Sequence, residues 1–259
     1  MRTEFKLKTL AVGLLVSSMV ACTGKTSEDN TSCAGDTTCC SKDSVCNKNK
    51  EMTYTKKYTN ADFYKDGKFD QEVAMKAFKD MFEFYGVPFT PLMEKDMWVT
   101  DFGLGDFENV GMGGIFWVND QEHGYFAHEI YLLPSQMIPE HAHMKTKFPA
   151  KFESWMVQKG MCYNFSAVGE ETPNPPALPE SQKGFITSKN FVVQQAGEVV
   201  HLKKIETFHF LIAGPGGAVV SEWASYHDNA GLRITNTKAS LSSRYSNTIL
   251  INAWLTLIN

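Results

Sequence analysis

Three histidines and one glutamate carry the chemistry most readily read from this chain. His141 and His143 form an H-A-H pair, Glu153 follows ten residues after the second histidine, and His209 comes more than fifty residues later. On a strand, side chains at i and i+2 point to the same face, so the two imidazoles of H-A-H can share one ion. Neutral imidazole is the commonest protein ligand for transition metals. Glu153 adds a hard oxygen and His209 a third nitrogen, a mixed set that suits Mn, Fe, Zn, Co or Ni better than Ca or Mg. The plainer alternative is that H-x-H among seven histidines is a chance pair on a polar strand.

Alternation extends the argument to the neighbours of these residues. Lys151, Glu153, Trp155 and Val157 share one strand face, so a glutamate that looks into a metal cavity brings Lys151 to the same cavity. Further on, Val220, Glu222 and Ala224 share a face. A glutamate among small apolar neighbours is either a catalytic group facing inward or a surface charge whose flanking valines turn inward, and the alternation leaves both open.

The elements that must position these groups are mostly strands. Asp70 can cap a helix in which Val73, Ala74, Ala77, Phe78, Met81 and Phe82 recur at three- and four-residue spacing, with Gly86 and Pro88 ending it. This helix is expected on the outside of a sheet. Short runs rich in β-branched and aromatic residues follow at 114–119, 125–133, 152–158, 161–167, 191–195, 208–212 and 219–225, bounded by Gly, Pro, Asn and Asp. So many strands at close spacing predict an antiparallel sandwich or barrel, all-β with a few helices. A Pro-rich loop from Glu170 to Glu180 is expected at the surface.

At 259 residues with 43% hydrophobic content the chain is long enough for one large domain or two small ones. A net charge of -4 and the lack of a basic stripe with interleaved aromatics argue against a nucleic-acid partner. A small molecule is the expected partner. Residues 1–21 carry Arg2, Lys6 and Lys8, then an apolar run from Leu10 to Val16 too short to span a bilayer, and read as an export signal. Met19-Val-Ala-Cys22 resembles the lipobox of bacterial lipoproteins, which implies a lipid anchor at Cys22 and a place in the cell envelope, facing the periplasm or in the outer membrane. From 22 to 57 the composition is that of a polar tether. It holds Cys33, Cys39, Cys40 and Cys46, for which disulfides in an oxidising compartment are expected, with all three pairings open. Cys162 reads as a small buried side chain. The tail, 237–259, ends in an apolar run from Thr248 to Ile258 that would favour association as an added strand or partner contact.

The spacing of His141, His143, Glu153 and Gly160, with His209 closing a later segment, resembles the two sequence motifs of the cupin family. A narrower likeness emerges from an ordered series: Asp101-Phe-Gly-Leu-Gly105, Gly114-Ile-Phe-Trp-Val-Asn119, Ala127-His-Glu-Ile-Tyr-Leu-Leu-Pro134, Pro139-Glu-His-Ala-His143 and Val219-Val-Ser-Glu222. Together these resemble the D-lyxose ketol-isomerase family of cupins over roughly 69–236. That resemblance implies a cupin domain over 58–236, a double-stranded β-helix or jelly-roll barrel with an N-terminal helix. It also implies a metal-dependent aldose-ketose isomerase, usually Mn-dependent and often a homodimer, converting D-lyxose to D-xylulose or D-mannose to D-fructose. By resemblance His141, His143, Glu153 and His209 are metal ligands, and Lys151 stands in the family's Lys-x-Glu position. Where relatives often read Ala-Lys-Glu, this chain has Ala127-His128-Glu129.

A mechanism follows as an expectation. The metal would act as Lewis acid on the two sugar oxygens while a base moves the proton from C2 to C1, with Glu222 as the base and Lys151 holding charge or moving a proton between oxygens. A lysine so close to a divalent cation is expected to have its ammonium form disfavoured. For Lys151 the alternative is a purely electrostatic partner of Glu222. Two other functions remain open on the same ligands, an Fe(II) cupin oxygenase and a non-catalytic sugar-binding lipoprotein.

Overall fold

The computed structural model describes residues 53–55 and 58–240. The export signal, the Cys22 anchor, the tether cysteines Cys33, Cys39, Cys40 and Cys46, and the apolar run 248–258 lie outside the described residues. Tyr54, inside the span assigned to the tether, is buried in an aromatic cluster.

The helix expected after Asp70 is α2 (Gln71–Tyr85), preceded by α1 (Asn60–Phe63) and a two-stranded ribbon, β1 (Tyr64–Lys65) and β2 (Lys68–Phe69). Its start is set by the Asp70 carboxylate, which accepts from the backbone N–H of Glu72 and Val73, and its end by Gly86 in the left-handed conformation at φ 66°. Ala74, Ala77, Phe78, Met81 and Phe82 are buried along one stripe. They pack on the outer face of the main sheet, where Phe82 and Phe78 lie 4.6 Å and 6.3 Å, centroid to centroid, from Tyr131. Burying side chains of this size contributes about 1.5–3 kcal/mol each, so the helix anchors the sheet from outside.

After α3 (Pro91–Asp96) the chain is almost entirely strand: β3 (Trp98–Thr100), β4 (Met112–Asp120), β5 (Tyr125–Leu132), β6 (His141–His143), β7 (Glu153–Ser166), β8 (Asn190–Gln195), β9 (Val199–His201), β10 (His209–Ser225) and β11 (Leu232–Ile234). One curled sheet runs in the order β11-β6-β10-β5-β4-β3, and β7 pairs with β10, β8 and β9, every pair antiparallel. This is the expected mostly-β barrel of the cupin type, with the Pro-rich loop at the surface.

Two expectations about strand lengths need correction. The runs read as separate strands at 152–158 and 161–167 are one strand, β7, and those at 208–212 and 219–225 are one strand, β10. Glycine and irregular hydrogen bonding break the sequence pattern without ending the ladder. The two strands form one long antiparallel ribbon from His209 opposite Ser166 to Ala224 opposite Glu153, and its register shifts between Ala213 and Ala218. There Gly160 and Gly217 take φ of 72° and 75°, and a Cβ on Gly160 would overlap the Gly217 carbonyl. Extended without a bend, the thirteen residue steps from His209 to Glu222 would span roughly 40 Å. The bend instead folds the ribbon over, so that residues from both of its ends line one cavity.

Gly160→Ala is therefore expected to lower stability by roughly 2 kcal/mol or more and to weaken metal binding, read by denaturant unfolding and by titration with Mn²⁺. A helix-surface control such as Glu83→Ala leaves both unchanged.

Candidate metal centre and active-site cavity

Two strands bring the three histidines together. His141 and His143 project from β6 to one side, with buried Ala142 between them, and His209 at the start of β10 is paired directly with His141. The ring centroids of His141 and His209 are 4.5 Å apart and those of His141 and His143 5.2 Å. One nitrogen from each of the three lies within 4.8 Å of the others, close enough to share an ion. Glu153, 1% exposed at the start of β7, points at the same spot: its Oε2 is 3.1 Å from His209 Nε2 and its Oε1 is 3.4 Å from His143 Nε2.

The hydrogen bonds behind the rings define which nitrogens face inward. His141 Nδ1 lies 2.9 Å from the Pro139 carbonyl and His209 Nδ1 lies 2.8 Å from the Thr207 carbonyl. A carbonyl only accepts, so in both rings Nδ1 carries the proton and donates, which leaves a bare Nε2 in the neutral imidazole. His209 Nε2 and Glu153 Oε2, 3.1 Å apart, are buried with no hydrogen-bonding partner while the imidazole is neutral. Leaving such atoms unsatisfied costs about 1–3 kcal/mol each. A cation among them removes that cost, so the residues fit a divalent metal.

Charges around this spot follow from burial and proximity. Burial, with His209 and His143 nearby, pulls His141 well below the usual imidazole range. For His209 burial acts downward too, but the Glu153 carboxylate outweighs it and the net shift is upward. A proton on His209 then stands where the metal would. Burial pushes Glu153 up, yet Lys151, His143 and His209 together hold it well below the ordinary carboxylate range.

Lys151 and Glu222 are where alternation placed them, both facing the cavity and 4% exposed, so Glu222 is not a surface charge. The Lys151 ammonium donates to Glu153 Oε1 at 2.9 Å and to Glu222 Oε1, and sits 4.3 Å from the centre of the Phe126 ring. In the metal-free protein burial lowers its pKa, but Glu153 and Glu222 reverse that and the net shift is upward, so the chain's own groups favour the ammonium. Glu222 is likewise held below the ordinary range, since Lys151 and a hydrogen bond from His128 outweigh its burial.

Two buried histidines in this cavity had no role assigned from sequence. His128 on β5 stands directly across from Glu222 on β10, with Nδ1 3.2 Å from Glu222 Oε2. Strand alternation of Phe126, His128 and Ile130 was the available signal. His227, just past β10, packs its ring edgewise on His143 at 5.2 Å and is held through Nε2 by Asn229 Oδ1 at 2.8 Å, while the Asn119 side chain brackets its backbone. Nothing local in the sequence marks it, because its place depends on the loop after β10. Trp98, Phe116, Phe126, Ile130 and Trp155 complete the walls of a cavity of about 690 Å³, counted out to its open mouth.

The barrel is that of a cupin, and its cavity gathers three histidines, two carboxylates and one ammonium inside aromatic walls. The D-lyxose/D-mannose isomerase of Thermosediminibacter oceani is 34% identical over 145 residues, 55% of this chain and 78% of that protein. The D-lyxose ketol-isomerase of a Thermofilum species is 36% identical over 129 residues, 49% of this chain and 69% of its own. The chain belongs to the D-lyxose ketol-isomerase family. Among solved structures, ligand-free L-ribose isomerase of Cellulomonas parahominis superposes with a TM-score of 0.50 at 18% identity, over 65% of this chain and 92% of that one. L-ribose isomerase of Acinetobacter sp. DL28 with L-ribose gives 0.50 at 16% identity, over 73% and 96%. Both likenesses are of fold. No protein-family model matches the chain.

Removing the ammonium while keeping its volume, as in Lys151→Met, leaves two buried carboxylates facing each other. It is expected to destabilise the metal-free protein by about 3–5 kcal/mol, with added Mn²⁺ recovering part of the loss in thermal denaturation. Metal loading is expected to fall as pH falls. A ligand imidazole must be unprotonated, and the upward shift of His209 makes its proton the competitor, so affinity measured by titration weakens on the acid side first through this residue.

Proposed function

We propose that the protein is a metal-dependent aldose-ketose isomerase acting on a pentose or hexose, D-lyxose/D-xylulose or D-mannose/D-fructose, by transfer of a proton between C2 and C1. The observation that carries the reading is the unbroken run of charged groups from Glu222 through Lys151 to Glu153 beside the three histidines, inside one cavity. The names of the relatives support the substrate class. His141, His143, His209 and Glu153 would hold the ion, with Mn²⁺ the first choice and Zn, Fe, Co or Ni compatible with the same donors. When bound, the ion supplies Lewis-acid stabilisation of the negative charge that develops on the sugar oxygens O1 and O2.

The chain's own residues do the rest. Glu222 is ionised and buried, the form and the setting a carboxylate base needs, and it takes the proton from C2 and returns it to C1. Lys151, an ammonium in the metal-free protein, keeps two carboxylates compatible at close range and completes the exchange: it gives a proton to O1 and recovers the one released from O2, while Glu222 carries the carbon-bound proton from C2 to C1. Phe126, Phe116, Trp98 and Trp155 exclude water, which strengthens these charge interactions and keeps the abstracted proton from bulk exchange.

Glu222→Gln is expected to lower kcat by roughly 10²–10⁴-fold in an aldose panel at fixed Mn²⁺, with metal content by mass spectrometry unchanged. Full turnover in this variant removes Glu222 as the base. A wild-type protein that binds a sugar tightly but converts none, followed by the anomeric proton signals in NMR, would make it a binder instead.

A further inference from the structure

His128 is held more firmly than a residue with a packing role alone requires. Its ring lies nearly parallel to Trp98, 22° between planes at 5.6 Å, and meets the edge of Phe116 at 4.8 Å and the tilted ring of Phe126 at 5.6 Å. Beneath it is Gly114, where an added Cβ would come 2.5 Å from His128 Nε2, so the absence of a side chain at 114 is what makes room for the imidazole. Three aromatic walls and a glycine floor leave the ring one orientation. In that orientation Nδ1 faces Glu222 Oε2 at 3.2 Å, while Lys151 engages Oε1 of the same carboxylate.

The tautomer follows from the partner. Glu222 is ionised and can only accept, so Nδ1 carries the hydrogen and donates. Burial keeps His128 from gaining a second proton, and Nε2 has no hydrogen-bonding partner. His128 thus gives Glu222 a hydrogen bond without giving it a second full positive charge. An apolar residue at this place would leave Oε2 unsatisfied and free to turn.

We infer that His128 is the positioning residue of the base: its fixed Nδ1–H locks the Glu222 carboxylate plane between β5 and Lys151, so that the carboxylate meets the substrate carbon in one orientation and stays basic. The inference rests on Glu222 being the base. Other titratable groups lining the cavity around this pair are Lys151 just before β7, Glu153 at its start, His141 and His143 on β6, His209 at the start of β10 and His227 after it, none of which replaces the contact to Oε2.

Asn presents its amide N–H where the imidazole Nδ1–H stands, and Phe keeps a ring without a donor, so the test compares His128→Phe, His128→Asn and Glu222→Gln in the metal-loaded protein. His128→Phe is expected to lower kcat by about 10–100-fold with little change in KM or metal content. The acid limb of its kcat/KM profile moves to higher pH, because a carboxylate that loses a donor binds its proton more tightly. His128→Asn returns both kcat and the limb toward wild type. A role in packing alone would lower the melting temperature of both variants and leave the limb in place, which overturns the inference. So does ¹⁵N NMR of histidine-labelled wild-type protein if it finds the proton of His128 on Nε2, a measurement that does not depend on any variant folding. If Glu222→Gln keeps full turnover, the base assignment fails. If Glu222→Gln is inactive while His128→Phe keeps wild-type kcat and pH profile, only the role of His128 fails.

Discussion

Two carboxylates buried inside the barrel share a single ammonium. Glu153 and Glu222 are 1% and 4% exposed, and Lys151 bridges them. Two negative charges and one positive leave the cavity short of one cation while its imidazoles are neutral. A buried net charge is too costly to stand alone, so the site calls for a positive partner, supplied by a proton on His209 or by a metal ion among the three histidines and Glu153. The candidate metal centre and the proposed proton-transfer pair are thus one electrostatic unit. Lys151 belongs to both halves.

The barrel is arranged to make that unit. The β7–β10 ribbon contributes Glu153 and Glu222 near one end and His209 at the other, and only the bend at Gly160 and Gly217 lets the two ends face each other. β6 lies beside the start of β10 and presents the histidine pair. β5 lies beside its end and presents His128 to Glu222. Helix α2 packs on the outside of β3, β4, β5 and β10 through Val99, Ile115, Tyr131 and Val219 and shields that face from solvent. Glu140, fully buried one residue before His141, accepts from Thr187 and Ser188 and ties the segment between the Pro-rich loop and β8 to β6.

Much of this was legible in the sequence because it depends on local periodicity. The period of two put His141 with His143, Lys151 with Glu153, and Glu222 with Val220, and those faces are the ones observed. The period of α2 and its caps were equally local. What periodicity obscured was continuity: β7 and β10 read as four strands because a glycine bend looks like a strand end when the partner strand is unseen. The charge of Lys151 in the metal-free protein was out of reach for a similar reason: it depends on Glu153 and Glu222 together, and the second of these lies far along the chain.

By itself the sequence determined the donor types and the strand faces on which they sit, since both follow from residue identity and the alternation of an extended chain. Tertiary structure alone decided what lies opposite what. That His128 meets Glu222, that His227 reaches His143, and that one ammonium serves two carboxylates are consequences of register and of the bend in the ribbon. Register and curvature arise from long-range pairing and packing, and no window of neighbouring residues contains them.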